Sequence, residues 1–296
     1  LPPLPLQAPS AQQCRWQRLL TKHPSLSQIM VPSSPVSPLS PPLPPPSPPL
    51  LPPLDPAPIM ILFSGGIDSL LLAALTHLAL PSSPSPPIDL VNVCFDNGAS
   101  PDRLNSLAAL DELGHWAPSR EWRLIQVNCQ LDDVDVIQPR ILKLLDPAGT
   151  IMDLNIGAAL WLAASGAGTV TVRNWKGRCH PRAANAEMSH VLEPGSKYPN
   201  QTSFYASEAK VVFLGHGADE QCGGYGRHRT RFREAGAAGV AAELELDVRR
   251  LWIRNLGRDD RLIADWGREA RHPFLDEHFM DTLLQMPLKD ILDLTL

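Results

Sequence analysis

The 296-residue chain has few cysteines, no excess of positive charge and no long apolar run. Its five cysteines are isolated, and the lack of a CxxC pair argues against a disulfide framework or zinc site and indicates a reducing compartment. A formal net charge of −5 argues against a broad basic face for nucleic acid. The longest apolar stretches, Leu70–Leu80 and Ile156–Ala167, are shorter than the ~20 residues that span a bilayer. We therefore expect a cytoplasmic protein that has no membrane partner and does not depend on nucleic acid.

Proline is abundant, and most of the 32 prolines fall within the first 58 residues. Proline fixes φ and removes a backbone donor, so this segment is unsuited to a packed core. The composition predicts a disordered, Pro-rich segment over residues 1–57 and a folded domain over 58–296. The sequence stops soon after Leu292, and we expect the domain to be truncated at its C-terminus.

Beyond Pro58, short apolar runs alternate with helical patterns. Residues 165–208 are rich in Gly, Asn, Pro and Ser and are predicted to form a long loop or insertion, and 227–296 is predicted to be mainly helical. Alternating strands and helices indicate an α/β fold with a parallel sheet and right-handed crossovers. The predicted strands are Ile59–Phe63, Ile88–Phe95, Glu121–Val127 and Ala209–Leu214.

A glycine turn, Ser64-Gly-Gly-Ile-Asp-Ser69, follows the first predicted strand. Gly65 and Gly66 permit backbone conformations in which amides converge on an anion, and Ser69 lies where the next helix begins. Asp68 would repel a bare phosphate, so its presence is explained by a Mg²⁺ ion held between the carboxylate and phosphate oxygens. The turn lacks the lysine of a Walker A loop. The alternative is an ordinary tight turn between a strand and a helix.

A second glycine-rich segment, Leu214–Tyr225 (LGHGADEQCGGY), follows the last predicted strand. It contains the adjacent carboxylates Asp219 and Glu220. Asp68 and Asp219 would then stand at the ends of two neighbouring strands, where two carboxylates can share Mg²⁺ and clamp a triphosphate.

Both segments resemble motifs of one enzyme family. The glycine turn resembles the pyrophosphate-binding loop of the N-type ATP pyrophosphatases. The second segment resembles the S-G-x-G-[SA]-D-E-x-x-G-G-Y motif of the asparagine synthetase synthase domain, and Arg268–Asp276 (REARHPFLD) resembles its EARxPFLD segment. The resemblance covers residues 59–296 and implies a parallel-sheet, adenine-nucleotide α-hydrolase-like (PP-loop) domain with a mainly helical C-terminal part.

The resemblance also implies a reaction. ATP and Mg²⁺ would convert aspartate to β-aspartyl-AMP with release of pyrophosphate, and ammonia, free or from glutamine, would displace AMP to give asparagine. The implied metal ligands are Asp68 and Asp219, and the implied catalytic residues are His216, Glu220 and Arg261. The implied ATP and pyrophosphate contacts are Phe63, Ser64, Gly65, Gly66, Asp68, Ser69, Val93, Leu214 and Gly215.

The sequence departs from the family pattern in three respects. His216 replaces the family's Glu, which would both attract an ammonium ion and accept its proton, whereas a neutral imidazole carries no charge. Arg261 replaces a Lys and keeps its charge with a different reach. The glutaminase half is absent from this sequence, so we expect a glutaminase domain upstream in the full-length protein; a homodimer is also compatible with the sequence.

Two other functions remain open at this point. One is a catalytically impaired, nucleotide-binding pseudoenzyme with a regulatory or interaction role, which His216 and the absent glutaminase half favour. The other is an ATP pyrophosphatase that acts on a different acceptor, such as a tRNA base. Pyrophosphate release that requires aspartate and ammonia would distinguish the first reaction from both.

Overall fold

A mainly parallel sheet organises the computed structural model, which describes residues 54–96, 98–147, 149–173 and 203–293. Within these residues the sheet has seven strands in the order β5-β4-β3-β2-β1-β6-β7. The five strands from β3 to β7 along this order are parallel, whereas β4 is antiparallel to both of its neighbours. The strands are β1 (Ile59–Leu62), β2 (Ile88–Cys94), β3 (Trp122–Asn128), β4 (Ala167–Arg173), β5 (Ser203–Ala206), β6 (Val211–Phe213) and β7 (Glu269–Arg271).

Helices connect the strands and form most of the C-terminal part. They are α1 (Ile67–Ala79), α2 (Pro101–Trp116), α3 (Leu131–Leu145), α4 (Ile151–Ser165), α5 (Ala218–Cys222), α6 (Gly226–Leu251), α7 (Gly257–Ala264), α8 (Glu277–Gln285) and α9 (Leu288–Ile291). A π-helical turn, Trp252–Leu256, joins α6 to α7. None of the helices described is long and apolar enough to cross a membrane. The predicted fold class, an α/β domain with a helical C-terminal part, is confirmed.

The central strands are buried on both faces. Alternate residues of β1 divide between two apolar clusters, Met60 in one and Ile61 in the other. The first cluster packs against α3, α4 and α7, and the second packs against α1 and α2. Strands covered on both faces tend to have continuous apolar sequences, and β1 (IMIL) is wholly apolar, whereas β2 and β3 also bury Asp89, Asn92 and Arg123.

The expectation of a loop over residues 165–208 is wrong at both ends. Ala167–Arg173 forms β4 and Ser203–Ala206 forms β5, while the segment between them lies outside the described residues. The glycine that suggested a loop is instead required by strand pairing, because a Cβ at Gly168 would lie 2.5 Å from the Gln126 carbonyl oxygen on β3. The short strand β7 likewise interrupts the predicted helical region. Most of the predicted disordered segment, residues 1–53, lies outside the described part of the chain.

Helix α6 is a helical hairpin rather than one straight helix. Gly236 has φ +63° and ψ −159°, which breaks the helical path. Arg227 Nη2 lies 2.5 Å from Asp247 Oδ2, and Arg231 Nε lies 3.1 Å from Glu243 Oε2. Residues 20 positions apart in a straight α-helix would be about 30 Å apart. The two arms therefore run antiparallel, and ion pairs join them.

The chain makes tertiary contacts before Pro58, and this leads to a test by truncation. Ala57 is buried, and the Asp55 carbonyl accepts a hydrogen bond from Nη1 of buried Arg123 at 2.7 Å. Removal of residues 1–53 is expected to leave the free energy of unfolding unchanged in urea titrations. Removal of residues 1–57 is expected to lower it by about 1–3 kcal/mol, because a buried guanidinium loses an acceptor. Equal stabilities of the two truncated chains would contradict this role for Asp55.

Candidate functional site

The glycine turn between β1 and α1 forms an open backbone cradle. Ser64 Oγ accepts a hydrogen bond from the Gly66 amide at 3.2 Å, and Ser69 Oγ donates to the Gly66 carbonyl at 3.0 Å. Ser64 and Gly66 are exposed, and Gly66, as the N-cap of α1, has no side chain to satisfy the first amides of the helix. Exposed amides at a helix N-terminus favour an anion such as phosphate.

Gly65 fixes this turn against the neighbouring helix. Its φ is +77°, and a Cβ there would lie 2.3 Å from both the Asn105 carbonyl carbon and the Ser106 nitrogen of α2. The backbone of the turn and the backbone of α2 are thus in direct contact. Glycine is required here by the close approach as well as by the left-handed conformation.

Two acidic side chains, from the first turns of α1 and α5, lie near each other beside the glycine turn. A Cβ built on Gly215, in the loop after β6, would be 3.7 Å from Asp68 Cβ. Burial, followed by the charges of Asp219 and Glu220, raises the pKa of Asp68 above its usual value. Burial and then the charge of Glu220 likewise raise the pKa of Asp219. A site that disfavours its own negative charges is suited to a cation.

This pair of carboxylates suits a Mg²⁺ ion that is also bound by water and phosphate. It does not suit a metal whose ligands are all protein side chains. Among the residues that the structure describes, no three His, Cys, Asp or Glu side chains are grouped to hold a metal ion. Mg²⁺ is usually bound through one or two carboxylates together with water and substrate phosphates. Asp68 and Asp219 supply the carboxylates, and the glycine turn next to them offers the phosphate position.

The glycine pair in the second loop provides space for Asp219. A Cβ at Gly224 would lie 1.7 Å from Asp219 Oδ1, so no other residue fits there without moving the carboxylate. The amides of Gly223 and Gly224 also donate to the Asp219 carbonyl at 2.9 and 3.1 Å. The two amides therefore fix the backbone of Asp219, and the missing Cβ at Gly224 leaves room for its carboxylate.

Glu220, predicted to be catalytic, is engaged within its own loop. It is buried, and its Oε2 accepts from the Gly217 amide at 3.1 Å while its Oε1 accepts from the Tyr225 hydroxyl at 2.6 Å. Burial, then this hydrogen bond, raises the pKa of Tyr225. Glu220 holds the start of α5 in place and adds negative charge next to Asp68 and Asp219.

His216 contacts a buried carboxylate that sequence analysis did not identify. Its Nδ1 lies 3.0 Å from Oδ2 of Asp259 on α7, a residue with no exposed surface. Its ring also stacks on His272, with ring centroids 5.8 Å apart. Burial alone would raise the pKa of Asp259, but contact with His216 and then with Arg258 outweighs burial and leaves this pKa below its usual value. Two adjacent carboxylates, Asp259 and Asp260, are visible in the sequence as candidate site residues, but no local pattern links them to His216.

Arg261, also predicted to be catalytic, lies at the end of α3. Its Nε donates to the Leu144 carbonyl at 2.6 Å and its Nη2 to the Leu145 carbonyl at 3.4 Å. Cationic side chains commonly satisfy the last carbonyls of a helix. These contacts tie α7 to α3 and do not connect Arg261 with the glycine turn.

The predicted nucleotide contacts lie at the carboxyl ends of the strands. Phe63 and Leu214 are buried, whereas Val93 and Gly215 are partly exposed. The Phe63 amide donates to the Val91 carbonyl at 2.8 Å, its carbonyl accepts from Asn92 Nδ2 at 3.0 Å, and its ring packs in the core. Ligands of parallel α/β sheets bind at the carboxyl ends of the strands, where these residues lie.

The contact between the turn and α2 can be tested with a matched pair of glycines. Gly65→Ala is expected to lower the free energy of unfolding by about 2–4 kcal/mol, because strain at positive φ adds to a steric clash. Gly267→Ala is the control, since Gly267 has φ +65° but nothing within 4 Å of a built Cβ, and about 1–2 kcal/mol is expected. Equal losses in urea unfolding would show that the clash is relieved by a shift of α2.

Comparison with known proteins places these observations in a family. The asparagine synthase family profile matches residues 233–293. Asparagine synthetase domain-containing protein 1 is 34% identical to this chain over 279 residues in Mus musculus and over 283 residues in Homo sapiens. Each match covers 81% of this chain and 40% of the relative, so the chain spans about two-fifths of the length of these relatives.

A shorter match involves a protein named for the reaction. The putative asparagine synthetase (glutamine-hydrolyzing) 1 of Methanocaldococcus jannaschii is 45% identical over 80 residues, which cover 27% of this chain and 15% of that protein. Together with the glycine turn and the acidic segment at the ends of β1 and β6, these matches show that the chain is similar to proteins of the asparagine synthase family.

Proposed function

We propose that this domain uses Mg-ATP to adenylylate the β-carboxylate of aspartate, and that ammonia then displaces AMP to form asparagine. One observation carries the proposal: the exposed glycine turn and the carboxylates of Asp68 and Asp219 lie together at the ends of β1 and β6. These strands are adjacent and parallel, with Met60 opposite Val212. The glycine turn that would bind phosphate and the two carboxylates that would bind Mg²⁺ are therefore neighbours.

The chain's own residues account for the first half of the reaction. Ser64, Gly66 and the first amides of α1 would hold the leaving pyrophosphate, and Asp68 and Asp219 would hold Mg²⁺. When bound, Mg²⁺ neutralises charge that develops on the leaving phosphates. The protein forms no covalent bond in this scheme, so catalysis depends on positioning and on electrostatic stabilisation.

The nitrogen source belongs to the longer protein. We propose that a glutaminase domain supplies ammonia from glutamine, because the family resemblance implies such a domain. The match to this chain also covers only 40% of the mouse relative, which leaves room for one there. We also propose that the reaction takes place in the cytoplasm, in keeping with the isolated cysteines.

A second candidate is a nucleotide-binding protein with impaired catalysis. Two of the three predicted catalytic side chains, Glu220 and Arg261, are held in contacts within the fold. In this case the domain would bind Mg-ATP without releasing pyrophosphate. The two candidates share the nucleotide site and differ only in turnover.

The role of Asp68 can be tested with Asp68→Asn and calorimetric titration. Loss of the carboxylate is expected to weaken Mg-ATP binding at least about tenfold, as is typical when a metal site is impaired. With EDTA present the sign is expected to reverse, since removing one negative charge relieves repulsion of free ATP. Asp135→Asn, an exposed change on α3, is the control and should alter neither affinity. Unchanged Mg-ATP affinity in Asp68→Asn would exclude the metal role.

Turnover distinguishes the candidates. Pyrophosphate release that needs ATP, aspartate and ammonium together, and that Asp219→Ala abolishes, is the expected result for the synthetase. Binding of Mg-ATP without release would favour the nucleotide-binding protein. Release that depends on tRNA and is independent of aspartate would identify a different acceptor.

A further inference from the structure

The contact between His216 and Asp259 joins the loop after β6 to α7. Nδ1 of His216 and Oδ2 of Asp259 are both buried and lie 3.0 Å apart, and among the described residues neither atom has a hydrogen-bond partner of good geometry. Asp259 Oδ1 accepts from Arg258 Nε at 2.8 Å. The His216 side chain keeps 28% of its surface exposed although its Nδ1 is buried. Nε2 is not among the buried side-chain atoms without a partner, so we assign the open part of the ring to the side that carries Nε2.

The charges around this contact favour a donor at Nδ1. Arg258 is shared between Asp259 and Asp153, with Nη1 3.1 Å from Asp153 Oδ1. One guanidinium thus faces two carboxylates, and the cluster has a net charge of −1 without His216. Burial and then the nearness of His216 lower the pKa of His272, which disfavours a positive charge on that ring. A buried carboxylate oxygen with no other partner requires a hydrogen from His216.

We propose that Asp259 is a positioning residue that holds His216 as its Nδ1–H tautomer and leaves Nε2 free as the base for the attacking nitrogen. The pair then supplies the negative charge that the family's Glu would supply at position 216. This inference rests on the proposed function, since it assigns a role to His216 in the second half of that reaction.

The proton transfer balances at each atom. Ammonium loses one proton to Nε2 of His216, and the freed lone pair attacks the acyl carbon of β-aspartyl-AMP. The attacking nitrogen is positively charged after the attack and gives up a second proton to water. The carbon–oxygen bond to AMP breaks, and its electron pair leaves on the phosphate. The imidazolium that forms is paired with Asp259, so the two groups together are neutral, and Nε2 returns its proton to water before the next ammonium ion is deprotonated.

The pairing reverses the expectation from the family motif alone. A Glu at position 216 would set a second carboxylate against buried Asp259, and like charges in a buried site are strongly unfavourable. His216→Glu is therefore expected to impair the site, and Asp259→Asn in the same chain should restore part of the loss.

The first test is nitrogen NMR of labelled histidines in the full chain, with the His216 signals assigned by their loss in His216→Gln. In Asp259→Asn, Arg258 still needs an oxygen acceptor, so the amide nitrogen faces His216 Nδ1. The ring must then accept at Nδ1 and carry its proton on Nε2. We expect the Nδ1–H tautomer in wild type and in the control Asp135→Asn, and the Nε2–H tautomer in Asp259→Asn. The same tautomer in wild type and Asp259→Asn would overturn the proposal.

Kinetics add a readout that a structural role would not move. Asp259→Asn is expected to lower kcat for aspartate- and ammonium-dependent pyrophosphate release about 10²–10⁴-fold, the range for a positioned acid–base group, with KM for ATP unchanged. An unchanged kcat would overturn the proposal. If wild type releases no more pyrophosphate than Asp219→Ala, the proposed function fails, and the tautomers decide the pairing alone.

Melting temperatures guard against variants that fold poorly. We expect His216→Glu to lower the melting temperature by several degrees and the double variant His216→Glu, Asp259→Asn to regain most of that loss. Additive losses in the double variant would show that the two side chains do not interact, which would overturn the pairing whatever the activity.

Discussion

Repulsion among three carboxylates is the constraint on which the site depends. Asp68 lies in the first turn of α1, and Asp219 and Glu220 lie in the first turn of α5. The two helices follow adjacent parallel strands, so the sheet order brings these turns together. Each carboxylate is accommodated differently. Glu220 is bound by an amide and a hydroxyl, and Asp219 is held over Gly224, where only glycine fits. Asp68 stays partly exposed beside the glycine turn, where the proposed Mg²⁺ would offset the remaining charge.

The loops tolerate this crowding because their backbones are fixed by close approach. Gly65 lies directly against α2, and Gly223 and Gly224 donate to the Asp219 carbonyl. In both loops the glycines have no side chain to keep neighbouring segments apart, so backbone contacts backbone directly. Such contacts place groups more accurately than flexible side chains do, and a reaction that depends on positioning needs that accuracy.

Much of this organisation could be predicted from sequence because it is local. Strand β1 is a continuous apolar run, and the segments that carry Asp68 and Asp219 directly follow their strands, so the pairing of β1 with β6 places Asp68 near Asp219. Strands β4 and β5 were missed because they pair antiparallel and lie nearer the edge of the sheet. Strand β4 also contains Gly168, which is needed only because the β3 backbone packs against it. Asp259 contacts His216 and Arg261 contacts Leu144, and both contacts join elements more than 40 residues apart in sequence. Helix packing brings these elements together, so no local sequence pattern predicts the contacts.

The helical hairpin of α6 has a consequence for how this protein can vary. Its base is tied to the acidic loop, since Tyr225 contacts Glu220 and Arg227 lies 4.1 Å from the centre of the Tyr225 ring. Its tip at Gly236 has nothing within 4 Å of a built Cβ, so that end borders open space. The ion pairs that close the arms lie between base and tip. Extra chain inserted at the tip would therefore leave the base undisturbed, which makes this turn a place where homologues can gain segments and where a reporter group can be attached.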